Sequence, residues 1–392
     1  MTKKNQRGSA TRTVRAGLES DPQHGAVVPP IYLTSNFAFE SFGKPRKYDY
    51  TRSGNPTRDA LAEALADLEG GAGAVVTCTG LAAITLIVST LPAGSRVLAP
   101  HDCYGGTFRL LAALQRQGTL QVDFVDQNDA AAMQRALASR PKLVWLETPS
   151  NPLLRIVDIR AVAQAAHAVG ALVAADNTFL SPVWQQPLAL GADIVMHSTT
   201  KYLNGHSDVV GGAVIAKSGE LHQQLAWWAN AIGVTGAPFD SFMTLRGMRS
   251  LHARMRVHAE NTLAVVAALQ GHPAVGRVFY PGLASHPGHE LARRQQSAFG
   301  AMLSFELAGG EAAVRAFLDG LETFTLAESL GGVESLVAHP VTMTHAGMDA
   351  EARQRAGIGP GLLRLSVGIE SPEDLVADLA AGLQRAQKSL AA

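Results

Sequence analysis

The chain has 392 residues, 47% of them hydrophobic and only 17% charged, and its 33 lysines and arginines balance 33 aspartates and glutamates to a net charge of zero. A neutral chain lacks the basic excess of a dedicated nucleic-acid binder or of a protein drawn to an anionic membrane, and its apolar content separates it from disordered chains. At roughly 100–200 residues per domain, this length predicts two or three domains around a sizeable core.

Taken in chain order, residues 1–58 read as an extended arm. His24–Phe37 carries paired prolines and no helical period, and Phe42–Thr57 mixes aromatics, arginines and turn formers. Such a segment has no core of its own and is expected to lie against another domain or subunit. Residues 59–253 alternate short β-rich runs with small-residue helical stretches. The runs are AVVTC, RVLAP, LQVDFV, KLVWLE, ALVAAD, ADIVMH and GGAVIA. Near-continuous apolar strands separated by helices imply a mostly parallel sheet buried on both faces, an α/β domain. From residue 254 to 392 the strands thin out to GRVFY, AMLSFEL and LLRLSVG, between an amphipathic helix at 257–272 and a closing helix from Pro372. That pattern predicts a smaller α+β domain. Two cysteines, Cys78 and Cys103, cannot build a disulfide framework. With no apolar run of signal-peptide or membrane-spanning length, the expected location is the cytoplasm.

Ligands of open α/β sheets bind beyond the carboxyl ends of the strands. The residues found there are Thr79-Gly80-Leu81, His101 to Tyr104, Glu147 to Asn151, Asp176-Asn177-Thr178 and His197 to Lys201. No phosphate-binding P-loop, dinucleotide fingerprint or G-x-S-x-G elbow is present. Lys201 follows a buried strand and a run of hydroxyls; it is either an ordinary solvated loop lysine or an amine held out of water that forms a Schiff base with a carbonyl. Ser198 and Thr200 offer hydroxyls to a phosphate, and the turn at Gly80 and Leu81 offers helix N-terminal N–H groups. Asp176 at a buried strand tip needs a cationic partner, and Tyr104 could stack on a ring. Lysine, hydroxyls, aspartate and anion-binding turn together match the requirements of pyridoxal phosphate (PLP). His101, Asp102 and Cys103 are adjacent and cannot all face one ion in a regular element, so no metal is expected.

The segments AADNTF, HSTTKYLNGHSDVVGG, YTRSGNPTR, ETPSNP and TLAESLGGVESL resemble the Cys/Met-metabolism (trans-sulfuration) family of PLP-dependent enzymes, over about Ala16 to Arg385. The resemblance implies an aspartate aminotransferase-like (fold type I) architecture and a soluble homo-oligomer, expected as a homotetramer built from two dimers. It also implies roles by position. Lys201 is the Schiff-base lysine and proton carrier, Asp176 pairs with the pyridine nitrogen, and Tyr104 stacks on the ring. The backbone of Gly80 and Leu81 and the hydroxyls of Ser198 and Thr200 hold the phosphate, and Tyr50 and Arg52 reach the phosphate of a neighbouring subunit's cofactor. Arg364 grips the substrate α-carboxylate, helped by Asn151 and Ser329, while Glu328, Arg109 and Asp49 line the distal pocket. For these last three, an ion pair with a nearby arginine, a solvated helix face and an arm-ordering turn are the respective alternatives. Thr79-Gly80-Leu81 departs from the Ser-Gly-Met of many members, at a contact made through backbone. Ala99–Leu110, Leu225–Phe242 and Met343–Met348 most resemble the members that make L-cystathionine. The implied reaction is γ-replacement, in which L-cysteine displaces the acyl group of an O-acyl-L-homoserine, expected to be the succinyl ester, with γ-elimination as the alternative.

Overall fold

The computed structural model describes residues 7–18 and 20–390. Seven strands form the first sheet: β1 (Gly73–Thr77), β2 (Arg96–Pro100), β3 (Gln121–Val125), β4 (Leu143–Glu147), β5 (Leu172–Asp176), β6 (Ile194–His197) and β7 (Gly212–Ala216). Their order is β1-β7-β6-β5-β4-β2-β3, and β7 alone runs against its neighbours. The carboxyl ends of the other six strands therefore share one edge.

Strand alternation explains why these runs are apolar throughout. On β4, Leu143 and Trp145 pack into a core with the helix Gly80–Ser89, whereas Val144 and Leu146 pack into a second core with the helix Ile159–Ala168. Successive side chains point to opposite faces, and each face is covered by helices, so neither can be polar. At the edge the apolar requirement lapses, and Glu147, Asp176 and His197 close their strands.

The second sheet holds β8 (Val275–Phe279), β9 (Met302–Leu307), β10 (Thr325–Leu326), β11 (Leu336–Ala338) and β12 (Leu362–Ser366) in the order β10-β11-β12-β9-β8. All pairs but β10–β11 are antiparallel. Leu363 and Leu365 of β12 join the core under the helices Gly310–Leu318 and Pro372–Ser389. Alternation then aims Arg364 the other way, toward the first sheet.

Several elements differ from expectation. A short helix, Ser9–Val14, lies within the segment read as an extended arm. The next helix begins at Pro56, because Asn55 caps it by accepting from the backbone N–H groups of Thr57 and Arg58, and proline is favoured in a first turn. The long helix starts at Leu251 rather than near 257. Residues 20–55 make only isolated bridges, Asn36 with Tyr50 and Ser41 with Lys44. They leave Val27, Leu33 and Phe42 exposed. Among the described residues, no helix is long and apolar enough to cross a membrane.

Candidate active site

A cavity of about 630 Å³ opens at the shared strand edge, between the two sheets. Its walls include Gly80, Leu81, Tyr104, Arg109, Asn151, Asp176, Ser198, Thr200, Lys201, Glu328, Ser329 and Arg364, so the fold assembles twelve of the fifteen residues singled out from sequence.

Lys201 sits in the turn after β6, where its N–H donates to the Ser198 carbonyl and its own carbonyl accepts from Gly205. Its Nζ donates to Ser329 Oγ at 2.7 Å. Burial, reinforced by the positive charge of Arg364, lowers the ammonium pKa to about 8. Ser329 holds this contact from a left-handed backbone conformation, φ +88°. Non-glycine residues keep such a conformation only where the surroundings impose it. Here its hydroxyl meets Lys201 and its carbonyl accepts from Arg364 Nη2 at 2.8 Å.

Arg364 is buried, and Nη1 donates to Asn151 Oδ1 at 3.0 Å. Its Nε has no hydrogen-bond partner among the described residues. Burial brings the guanidinium pKa down to about 10, so it remains a cation with an unused donor, the requirement for gripping a carboxylate.

Asp176 Oδ1 accepts from the backbone N–H and the hydroxyl of Thr178. The same hydroxyl oxygen accepts from the Ser198 N–H at 2.9 Å, which ties the end of β5 to the end of β6. Burial raises the Asp176 pKa, while the Thr178 hydrogen bonds pull it down. Beside it on β4, Glu147 is pushed up to about 8 by burial first and by the Asp176 charge second. Its two oxygens accept from the Tyr104 N–H and the Trp145 indole. Thr178 and Glu147 lay within strand ends already singled out, but nothing in their local sequence separated them from their neighbours.

At the helix Gly80–Ser89, Thr79 Oγ1 takes the Ala82 N–H, leaving Gly80 and Leu81 as the open donors of the first turn. A Cβ on Gly80 would come within 3.0 Å of Ser198, so glycine is what lets this helix start approach the Lys201 turn. Thr200 lines the cavity with its hydroxyl already donating to the Gly211 carbonyl and accepting from its N–H. The Tyr104 ring lies over Gly106, where a Cβ would collide with it. Arg109 and Glu328 are exposed in the cavity, and neither forms an ion pair among the described residues.

Asp49, Tyr50 and Arg52 are not brought to the cavity of their own chain. Asp49 caps its own turn, accepting from the Tyr50 N–H and Ser53 Oγ. Arg52 donates to Asn230 Oδ1 and stacks over the Tyr50 ring. Arg58 holds this turn in place by donating to the carbonyls of Thr51, Arg52 and Gly236. Asp102 and His101 are engaged by Arg155, and Asp102 also accepts from Ser150 Oγ.

These residues fit PLP. Asp176 is a carboxylate that lines the cavity and makes no ion pair among the described residues, Lys201 is a desolvated amine, and the Gly80 approach leaves an anion seat at a helix N-terminus. The comparisons agree. The model of the Cys/Met metabolism PLP-dependent enzyme family matches residues 10–384. Cystathionine gamma-synthase of Escherichia coli (strain K12) is 57% identical over 383 residues, covering 97% of this chain and 99% of its own. Cystathionine beta-lyase of Lactococcus lactis subsp. cremoris (strain MG1363) is 47% identical over 375 residues, covering 96% and 98%. The crystal structure of cystathionine gamma synthase from Xanthomonas oryzae pv. oryzae in complex with cystathionine superposes with a TM-score of 0.97 at 63% identity, covering 98% of this chain and 99% of that one. The family match starts in the first described helix and ends inside the last, leaving no element of either sheet outside it: the chain belongs to the Cys/Met metabolism PLP-dependent enzyme family.

Proposed function

We propose that this chain is a cystathionine γ-synthase type of enzyme, joining L-cysteine to O-succinyl-L-homoserine to give L-cystathionine and succinate in methionine biosynthesis. The observation that carries this reading is the cavity's second, unpaired arginine. Beyond the Arg364 clamp, Arg109 and Glu328 offer one exposed positive and one exposed negative charge, neither held in an ion pair among the described residues. A succinyl ester brings a second carboxylate for Arg109, and an incoming cysteine brings an ammonium for Glu328.

When bound, PLP supplies an electron sink conjugated with the substrate nitrogen, which makes first the Cα and then the Cβ proton acidic. Lys201 Nζ, with its pKa near 8, both accepts and returns protons at these two carbons. Its bond to Ser329 Oγ places the amine beside the Arg364 clamp, so that the carboxylate and the reacting carbons are fixed together. Succinate leaves from Cγ, the cysteine thiolate bonds there, and the protons return to Cβ and Cα. Asp176 would hold the ring nitrogen protonated, Tyr104 would cover the ring, and Gly80, Leu81, Ser198 and Thr200 would hold the phosphate.

In the same reading, residues 1–58 form an arm that carries Tyr50 and Arg52 to the cofactor phosphate of a neighbouring subunit and Asp49 to its distal pocket. Residues 59–253 form the cofactor domain and 254–392 the smaller domain, in a cytoplasmic homotetramer. Incubation with O-succinylhomoserine, with and without cysteine, tests the reaction. Cystathionine is expected to predominate once cysteine saturates; predominant 2-oxobutyrate at saturating cysteine would assign the chain to γ-elimination instead.

A further inference from the structure

Behind the cofactor seat lies a buried cluster that the mechanism does not use. Glu69 ends the helix Pro56–Glu69, His197 ends β6, and Asn177 follows β5; all three are sealed from solvent. Glu69 Oε1 accepts from His197 Nε2 at 2.6 Å and from Asn177 Nδ2 at 2.8 Å, while Oε2 has no hydrogen-bond partner among the described residues. Strand alternation assigns the faces. Asp176 and Ser198 line the cavity, so their neighbours Asn177 and His197 point to the reverse side. One carboxylate thus grips, from behind, the two strand ends that carry the ring-nitrogen and phosphate groups. Stability does not explain such a cluster, because a buried ion pair roughly breaks even against apolar side chains of the same volume.

We propose that Glu69 and His197 are a positioning pair: Glu69 holds the His197 imidazole protonated, and that positive ring, on the strand next to Asp176, keeps Asp176 ionised for the cofactor's ring nitrogen. The inference rests on the role given to Asp176 above. The electrostatics run the same way, since the His197 charge lowers the Asp176 pKa against the effect of burial. Around Asp176, Glu147 on β4 has its own pKa raised by the Asp176 charge, and Lys201 and Arg364 share its cavity. Among the described residues, Glu69 and Asp176 are the charged groups shown acting on His197. If His197 loses its charge, the Asp176 pKa rises, so Asp176 takes up its proton at a higher pH and the cofactor's environment changes there.

Glu69→Gln keeps the shape and an acceptor for Asn177 but removes the charge; His197→Gln removes the imidazole. Three readings are taken: the absorption of PLP bound to each holoenzyme as pH is lowered, PLP affinity by dialysis, and the Tm of the PLP-free chain. For both variants the acid-side spectral transition is expected to move up by about one pH unit, with PLP held about tenfold more weakly. A wild-type transition and wild-type affinity, with only the Tm lowered, would overturn the proposal and leave the pair structural. Should neither variant fold, nitrogen-15 NMR of histidine-labelled wild-type protein reads the His197 ring directly; a neutral ring at neutral pH overturns the proposal, and an imidazolium supports it. Asp176→Asn serves as the reference. If it leaves spectrum and affinity unchanged, the role of Asp176 fails; if it disrupts both while Glu69→Gln does not, only the pair's role fails.

Discussion

The two ends of the cavity are built on different terms. At the cofactor end the two carboxylates and the lysine are held by hydrogen bonds: Asp176 by Thr178, Glu147 by Tyr104 and Trp145, and Lys201 by Ser329. At the distal end Arg109 and Glu328 stand exposed without an ion pair among the described residues. The first arrangement is set before any ligand arrives, so binding there needs little reorganisation. The second is left open to the substrate. Damage at the fixed end should abolish the reaction, and damage at the open end should change which substrate reacts.

The largest expected effect comes from Lys201→Ala, which removes the proton carrier. Turnover should fall about ten-thousand-fold and the absorption of the Schiff base between lysine and cofactor should disappear, as a coupled assay and a spectrum would show; a variant within tenfold of the parent would break the contrast. Next comes pH. An ordinary lysine has its pKa at 10.5, and Lys201 at about 8 carries two to three orders of magnitude more neutral amine at pH 7, by roughly a factor of ten per unit. The rate at which PLP-free protein takes up PLP should therefore rise with pH and level off above about 8; a rate still climbing toward 10.5 would mean the amine is solvated. Arg364→Lys keeps the charge but loses the flat two-pronged donor, and kcat/KM should drop roughly a hundredfold. Smallest is Arg109→Gln. Because this arginine is exposed, its contact with the succinyl carboxylate is weakened by solvent, so kcat/KM for O-succinylhomoserine should fall only about fivefold, with O-acetylhomoserine unaffected. An equal loss on both esters would show that the open end is not selective.

The strand ends were readable because polar residues at or just after the end of an apolar strand are conspicuous: Asp176 closes LVAA, and Lys201 follows IVMH by a short run of hydroxyls. Arg364 was found through its motif, although alternation within LLRLS also marks it as the residue that faces away from its own core. Glu69 was not readable. It ends an amphipathic helix and looks like a surface residue there, and its partners lie 108 and 128 positions away. The helix Ser9–Val14 was hidden by its brevity, and β10 is only two residues long. Periodicity needs more residues than either supplies. The wall from Met343 to Gly347 is made of turns rather than a repeating element, so no periodic signal announced its place beside the site.

The exposed side chains of residues 20–55 carry a cost outside catalysis. Val27, Leu33 and Phe42 leave apolar surface in water along a segment with almost no strand pairing of its own. Contiguous exposed apolar surface promotes aggregation. Until this strip is covered, the folded chain carries its own precipitation hazard, one that concentration and temperature act on even while both sheets stay intact. Polar replacements at Leu33 and Phe42 would relieve that hazard at the expense of whatever docking the strip provides, so solubility and assembly set opposite demands on the same few residues.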